Sequence, residues 1–492
     1  MSANLYSTFF SRFSPKLDKP AFVLASGKSY SFGDIDDLSA RFAAVLRNAG
    51  VGADDRVVVQ AEKSIGAVAL YLACLRLGAV YTPLNTAYTA AEVDYFIGDC
   101  APKLVVLTSA RDGANAVVKV LTDEGAGLWA EALATPPYAD LASRQSDAIA
   151  AILYTSGTTG RSKGAMLSIG NLLSNAQTLV KLWGFREGDV LLHALPIFHV
   201  HGLFVATHCA LLNASTSIFL PKFDPAEICR LLPQATVMMG VPTFYTRLLA
   251  TPAFTRELCA NMRLFISGSA PLLAETHREF SARTGHAILE RYGMTETGMI
   301  TSNPLNGARV PGTVGFPLPD VSVRVVGENG AIAEDDAPGV IELSGPNVFK
   351  GYWRMPEKTR EEFRHDGYFI TGDIATRAAD GRISIVGRAK DLIISGGYNI
   401  YPKEIEDVLD AVPGVIESAI VGAPHPDFGE AVVAVIATRG VDQAALEHAA
   451  HEKLARFKHP RRYVLLDDLP RNAMGKVQKA ALRQAYKDAF KA

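Results

Sequence analysis

Residues 154–164 carry the side chains best suited to chemistry. They read Y-T-S-G-T-T-G-R-S-K-G and combine hydroxyls, glycines and two cations directly after the apolar run 149–153. Glycines let backbone N–H groups approach oxygen atoms closely, hydroxyls donate further hydrogen bonds, and a cation offsets negative charge. The segment therefore predicts a loop that binds the phosphates of a nucleoside triphosphate.

This loop differs from the Walker loop, which requires Gly-Lys-Ser/Thr, because Lys163 stands between Ser162 and Gly164. The pattern therefore disfavours a GTPase or a P-loop kinase. A solvated Gly/Ser/Thr linker is the alternative. The apolar strand before the loop and the helix-like spacing of residues 171–182 after it favour a functional turn between two ordered elements.

Composition sets the broad class of protein. The 492 residues are 48% hydrophobic and 20% charged, which is typical of a globular chain with two or more domains. A net charge of −2 argues against nucleic-acid binding. Five cysteines without a CxxC pair argue against zinc or a disulfide framework. With no apolar run of membrane-spanning length and no signal peptide, we expect no membrane association and a cytoplasmic location.

Short apolar strands alternate with helix-length segments through most of the chain, which predicts an α/β protein with helix-covered parallel sheets. The predicted strands include 56–60, 103–107, 190–194, 216–220, 236–239 and 264–267, and the predicted helices include 64–77, 202–212, 225–232, 244–249 and 272–284. A small β-rich subdomain follows residue 315. The pattern of predicted strands and helices changes again near residue 387. We therefore predict an N-terminal domain over 1–387, a hinge at 388–391 and a small, mobile α+β C-terminal domain over 392–492.

Further motifs accompany the loop. Residues 195–204, L-P-I-F-H-V-H-G-L-F, contain His199, which either lines a substrate pocket or is a core histidine. Residues 267–271, S-G-S-A-P, follow a strand as nucleotide-contacting turns do. Residues 290–297, E-R-Y-G-M-T-E-T, offer an aromatic ring for a base, then a hydroxyl and a carboxylate for phosphate and Mg²⁺. Residues 368–373, Y-F-I-T-G-D, place Asp373 in a predicted turn, where it could accept from ribose hydroxyls.

Together with residues 387–399 and 470–479, the ordered motifs resemble the adenylate-forming superfamily, which contains acyl-CoA synthetases, peptide-synthetase adenylation domains and luciferases. The resemblance extends from about residue 19 to residue 479. It implies attack of a carboxylate on the α-phosphate of ATP, release of pyrophosphate, and transfer of the acyl group from AMP to the thiol of coenzyme A.

The resemblance also implies roles for particular residues. The implied catalytic residues are Lys476, Thr295, Glu296 (with Mg²⁺) and His199. Those implied for nucleotide and coenzyme A binding are Thr155, Ser156, Gly157, Thr158, Thr159, Gly160, Lys163, Gly268, Ser269, Ala270, Glu290, Tyr292, Gly293, Met294, Asp373, Arg388, Gly396 and Gly397. Lys390 matches the hinge position. Because Lys476 lies in an exposed loop by this pattern, a lysine acetyltransferase is a further candidate partner.

Arg291 narrows the range of carboxylic acids that the enzyme is expected to activate. It stands one residue before Tyr292, where many relatives have glycine, and a cation there could pair with a second carboxylate. This indicates a small dicarboxylic acid, with Arg291, Val200, Met299 and Ser267 implied in substrate binding, and the wider sequence resembles malonyl-CoA synthetases. Val200 and Ile300 stand near the implied pocket, where relatives have more polar residues, and this leaves some tolerance for methylmalonate open. Alternatively, Arg291 forms a structural ion pair with Glu290 or another acidic residue.

Other functions fit parts of this pattern. Within the same fold, the chain could be a short-chain or aryl acyl-CoA synthetase, or an adenylation enzyme that loads a carrier protein. It could also be a non-catalytic nucleotide-binding scaffold, although such a protein has no need of Glu296, Asp373 and Lys476 together. For the coenzyme A nucleotide the candidate contacts are Arg456, Lys458, Arg461 and Arg462, which could equally form a solvated face.

Overall fold

The computed structural model describes residues 4–110, 116–122, 124–155, 162–396, 398–472 and 475–491. The largest sheet is parallel through its centre and antiparallel at both edges. In order across the sheet, its strands are Phe316–Pro317, Gly298–Ser302, Leu289–Met294, Leu264–Ser267, Val237–Gly240, Val190–His193, Thr216–Phe219, Pro20–Leu24 and Ser29–Ser31.

A second sheet lies beside it and is parallel except for its last pair. Its strands in order are Val117–Val120, Leu104–Leu107, Arg56–Val59, Val80–Pro83, Ile149–Thr155 and Lys163–Ser168. A third, antiparallel sheet contains Ser322–Val326, Gly339–Ser344, Phe369–Arg377 and Ile383–Arg388. One buried core joins these sheets, since Val57, Ile266 and Leu343 belong to the same cluster.

Helices cover the sheets, and local chemistry sets their ends. Capping boxes begin three of them, with the pairs Ser31 and Asp34, Thr89 and Glu92, and Ser168 and Asn171. The helices of this part are Leu5–Phe13, Phe32–Asn48, Ile65–Leu77, Ala90–Cys100, Gly127–Ala134, Ile169–Leu182, His208–Leu212, Pro225–Leu231, Pro242–Leu249, Ala274–Thr284 and Pro356–Glu361. Ile65–Leu77 is buried on every face, which explains its continuous apolar sequence.

The C-terminal part has its own sheet and core. Its strands are Tyr398–Ile400, Ile393–Ser395, Gly429–Thr438 and Val415–His425, with Arg462–Leu466 parallel to Gly429–Thr438. Helices Pro402–Asp410 and Gln443–Lys453 and helix Lys479–Ala485 accompany the sheet. Buried side chains form two clusters that include Ile420 and Val433 respectively. The predicted small C-terminal domain is confirmed, while its boundary at 388–391 stays a prediction.

The α/β prediction is confirmed, and two local predictions need correction. The predicted helix 202–212 starts as a π-helix, His201–Thr207, in which a Cβ on Gly202 would lie 2.0 Å from the carbonyl oxygen of Pro196. The predicted turn at Asp373 is wrong, because Asp373 lies inside the strand Phe369–Arg377, whose β-branched residues favour extended backbone. Among the described residues we find no helix with both the length and the apolar character that a bilayer crossing requires.

Candidate active site

The site forms where strands of the largest sheet end. Leu264–Ser267 and Leu289–Met294 are parallel neighbours, with Ser267 opposite Glu290. Parallel strands deliver their carboxyl ends to the same edge of a sheet, where ligands bind in open α/β folds. The motifs 267–271 and 290–297 therefore meet at one edge, although 18 residues lie between them in the chain.

Arg291 is buried at this edge without a matching anion. Arg291 is only 2% exposed, and its Nε and Nη2 have no hydrogen-bond partner among the described residues. The neighbouring Ser267 Oγ also has no partner among them. Gly268 makes room for Arg291, since a Cβ there would lie 2.5 Å from the guanidinium. Burial lowers the pKa of Arg291 to about 9, so it is still charged at neutral pH. A buried guanidinium with free donors is suited to binding a carboxylate. Glu290 does not pair with it, and Glu290 Oε1 instead accepts from the Leu272 N–H at 3.2 Å.

Two neutral histidines flank this guanidinium. Burial, with the charges of Lys476 and Arg291, lowers the pKa of His199 to about 3, and burial also lowers the pKa of His201. The His201 N–H donates to His199 Nδ1 at 3.3 Å, and His201 Nδ1 lies 3.2 Å from Ser269 Oγ. Ser269 has a φ of 73°, a left-handed conformation that turns its hydroxyl toward the ring. Neutral imidazoles leave the positive charge on Arg291 and Lys476.

A second polar cluster surrounds Asp373. This carboxylate is 2% exposed, pairs with Arg388 Nε at 2.8 Å and accepts from the Tyr292 hydroxyl at 2.5 Å. The neighbouring strands Phe369–Arg377 and Ile383–Arg388 place Asp373 directly opposite Arg388. The cluster offers a fixed carboxylate and a guanidinium, which suit the hydroxyls of a sugar.

A third cluster joins the base of the glycine-rich loop to Glu296. Glu296 Oε1 lies 3.1 Å from the Tyr352 hydroxyl and 3.4 Å from Thr155 Oγ1. Burial raises the pKa of Glu296. Carboxylate and hydroxyl oxygens are the ligands Mg²⁺ prefers. The described residues contain no group of three His, Cys, Asp or Glu side chains able to hold a metal ion. If Mg²⁺ binds here, Glu296 would hold it, and water and nucleotide phosphates would have to supply the other ligands.

Lys476 reaches the same site from the C-terminal part, and its expected position in an exposed loop is wrong, because the residue is partly buried there. Burial lowers its pKa to about 8, and the charges of Arg388, Asp373, Arg291 and Glu296 all act on it. Gly475, with a φ of 72°, brings the loop against helix Pro242–Leu249, where a Cβ would lie 2.9 Å from Thr243 Oγ1. The loop therefore brings the ammonium group within the electrostatic influence of both Arg291 and Asp373.

Comparison with known proteins agrees with this arrangement. Residues 10–353 match the AMP-binding enzyme family and residues 404–476 match the AMP-binding enzyme C-terminal domain. The chain belongs to the AMP-binding enzyme family. The resemblance to adenylate-forming enzymes is thereby confirmed.

Individual relatives cover nearly the whole chain. A malonate–CoA ligase of Arabidopsis thaliana is 34% identical over 98% of this chain and 89% of its own. A sulfoacetate–CoA ligase of Cupriavidus necator is 35% identical over 94% of both. ATP-bound MatB from Rhodopseudomonas palustris, at 54% identity over both full chains, superimposes with a TM-score of 0.96, and its apo form with 0.86. The TM-score is therefore higher with the ATP-bound structure of that protein than with its apo structure.

The structure brings most of the predicted residues of this AMP-binding enzyme into one region. Thr295 follows the strand that carries Glu290, Arg291, Tyr292, Gly293 and Met294, and Ala270 follows Ser269. Val200 and Met299 are buried. Gly396 lies in the turn after Ile393–Ser395 with a φ of 58°, and Lys390 lies in the short helix Ala389–Asp391. Ser156, Gly157, Thr158, Thr159, Gly160 and Gly397 lie outside the described residues.

The sequence interpretation missed three residues of the site. His201 stands in the same motif as His199, so its position was available from the sequence. Tyr352 and Glu362 lie in the segment F-K-G-Y-W-R-M-P-E-K-T-R-E-E, more than 50 residues after Glu296. Their contacts with Glu296 and Lys163 exist only after folding.

Proposed function

We propose that this chain is an ATP-dependent, AMP-forming malonate–CoA ligase that makes malonyl-CoA through a malonyl-adenylate. The observation that carries the proposal is the buried Arg291, whose free Nε and Nη2 lie near Lys476 and His199. A site for acetate or an apolar acid has no use for a second cation at that depth. Relatives named malonate–CoA ligase support the same substrate.

In the proposed adenylation step, one malonate carboxylate attacks the α-phosphorus and pyrophosphate leaves. In this proposal the Lys476 ammonium stabilises the charge on the carboxylate and α-phosphate oxygens, and Thr295 contacts the α-phosphate. Thr155 and Lys163 hold the outer phosphates beside Glu296. Bound at Glu296, Mg²⁺ would neutralise phosphate charge. The chain's own contribution is positioning and charge stabilisation.

In the proposed second step, the thiol of coenzyme A attacks the acyl carbon and AMP leaves. By analogy with the family, the C-terminal domain rotates about Lys390 between the two steps, so that Gly396 and its neighbours replace Lys476 at the site. Gly396 has no side chain to obstruct a thiol, and its positive φ suits a tight turn.

Acid-dependent exchange of pyrophosphate into ATP tests the proposal. We expect the fastest exchange with malonate, measurable exchange with methylmalonate, and little with acetate or benzoate. Succinate tests the depth of the pocket, and sulfoacetate tests whether Arg291 accepts a sulfonate, as the relative from Cupriavidus necator suggests. Fastest exchange with acetate or an aromatic acid would favour a short-chain or aryl acyl-CoA synthetase. If none of the acids supports exchange, the result would favour a binding scaffold.

Two further features belong to the proposal. Acetylation of Lys476 by a lysine acetyltransferase would remove the charge that adenylation needs, so an acetylated enzyme that keeps full activity would contradict it. All five cysteines are unpaired and buried, which supports a reducing compartment such as the cytoplasm.

A further inference from the structure

The phosphate-binding lysine proposed above already has an anionic partner inside the protein. Lys163 Nζ lies 2.9 Å from Glu362 Oε1, and the two side chains are only 12% and 20% exposed. The ammonium also lies 4.1 Å from the centre of the Tyr352 ring. A carboxylate at this position offers Lys163 the same kind of oxygen acceptor that a phosphate would.

The same carboxylate is linked to Glu296. Its other oxygen, Glu362 Oε2, accepts from the Tyr352 hydroxyl at 2.6 Å, and this hydroxyl is 3.1 Å from Glu296 Oε1. A phenol has a single proton, so only one of two ionised carboxylates can receive it. Burial opposes ionisation of Glu362, but hydrogen bonds from Tyr352 and Lys163 outweigh burial and lower the pKa of Glu362. The charged form of Glu362 is therefore favoured at neutral pH.

We propose that Glu362 is a positioning residue that occupies Lys163 while the polyphosphate subsite is empty and gives it up when the triphosphate enters. The inference rests on the proposed function, since it requires ATP to bind at residues 154–164. Polyphosphate then exchanges one anionic partner of Lys163 for another. Glu362 therefore weakens the binding of ATP and of pyrophosphate, and it recaptures Lys163 as pyrophosphate leaves.

A purely structural role for Glu362 would have different consequences. Lys358 lies 3.2 Å from Glu362 Oε1 and 3.0 Å from Glu361 Oε2, so both carboxylates could simply stabilise the end of helix Pro356–Glu361. In that case, removing the charge of Glu362 would lower stability and leave ATP affinity unchanged or weaker. Tighter ATP binding is expected only if Glu362 competes with phosphate.

The test compares Glu362→Gln with Glu361→Gln, a control on the same helix whose carboxylate is 65% exposed and contacts Lys358. Calorimetric titration without acid gives the affinities for Mg·ATP and adenosine, and the dependence of the exchange rate on pyrophosphate concentration gives that for pyrophosphate. We expect Glu362→Gln to bind ATP and pyrophosphate roughly three- to tenfold more tightly, the scale of removing one partly exposed charge partner. Adenosine lacks phosphates, so its affinity should stay unchanged, as should every affinity of Glu361→Gln.

A double-mutant cycle with Lys163→Met separates the competition from indirect effects, because without Lys163 the Glu362→Gln change should bring no gain in ATP affinity. Unchanged or weaker ATP binding by Glu362→Gln, with normal adenosine binding, would overturn the inference, as would an equal gain in the Lys163→Met background. If Glu362→Gln folds poorly, Glu362→Asp carries the test, since its shorter side chain withdraws the carboxylate and must also tighten ATP binding. Wild-type protein that binds no ATP would overturn the proposed function as well.

Discussion

Replacing Arg291 with methionine should remove the preference for a dicarboxylic acid while leaving the nucleotide site intact. The methionine side chain fills much of the same space without charge or donors. Arg291 is 2% exposed, and its Nε and Nη2 have no partner among the described residues. The distal carboxylate of malonate would therefore lose two charge-assisted hydrogen bonds in the variant.

The size of the effect follows from those two bonds. Hydrogen bonds to charged groups contribute about 1.5–3 kcal/mol each, so the pair is worth roughly 3–6 kcal/mol, or about 10²- to 10⁴-fold in kcat/KM for malonate. Acetate has no distal carboxylate, so kcat/KM for acetate should stay unchanged in the variant. Stability should stay unchanged or rise, because the substitution removes a buried charge that has no opposite charge beside it in the ligand-free protein.

Pyrophosphate exchange with malonate and with acetate measures the preference, calorimetry measures ATP affinity, and thermal unfolding measures stability. Arg309→Met is the control: Arg309 is partly buried, and unlike Arg291 it donates to the carbonyl oxygens of Pro304, Ala287 and Leu305. It should lower stability without altering acid preference. If Arg291→Met keeps the wild-type ratio of malonate to acetate activity, Arg291 does not bind the distal carboxylate.

Three further predictions follow from the site. Lys476→Ala should slow adenylation by about 10²-fold or more, yet still form thioester from supplied acyl-adenylate. In the wild type the pKa of Lys476 is lowered to about 8, so kcat/KM for adenylation should fall as the pH rises through that value and the ammonium loses its proton. Gly268→Ala should place a methyl group 2.5 Å from the Arg291 guanidinium and lower malonate activity by at least about tenfold. Lys390→Pro, which fixes φ near about −65°, should keep pyrophosphate exchange and lose most thioester formation.

Each of these predictions has a clear contrary result. Equal losses in both half-reactions would remove Lys476 from its adenylation role, and a flat pH profile between about 7 and 9 would count against its charge state. Gly98→Ala is the control for Gly268→Ala, because a Cβ at Gly98 meets no atom within 4 Å; similar losses in both variants would point to a general effect of alanine. For Lys390→Pro, half-reactions that both stay normal, or both fall alike, would show that this junction is no hinge.

The regular elements were accessible from the sequence because each depends on local pattern. The helix predicted over 64–77 forms as Ile65–Leu77, where the Ser64 side chain accepts from the Ala67 N–H at its start and Gly78 ends it in a left-handed conformation. The alternation of strands and helices likewise gives the α/β class. The π-helix His201–Thr207 was not predicted, because an apolar helical pattern does not distinguish a π-helix from an α-helix. Gly202 is a local requirement, since a Cβ there would lie 2.0 Å from the carbonyl oxygen of Pro196.

The sequence by itself determined the family, the order of the motifs and the types of side chain that serve the chemistry, since these are properties of residue identity and spacing. Only the tertiary structure decided what those side chains contact. In the folded chain Arg291 does not form an ion pair with Glu290, and Asp373 lies in a strand opposite Arg388. Lys163 pairs with Glu362, which lies 199 residues later in the chain. Burial and pairing of charges arise from packing between distant segments, so no local pattern encodes them.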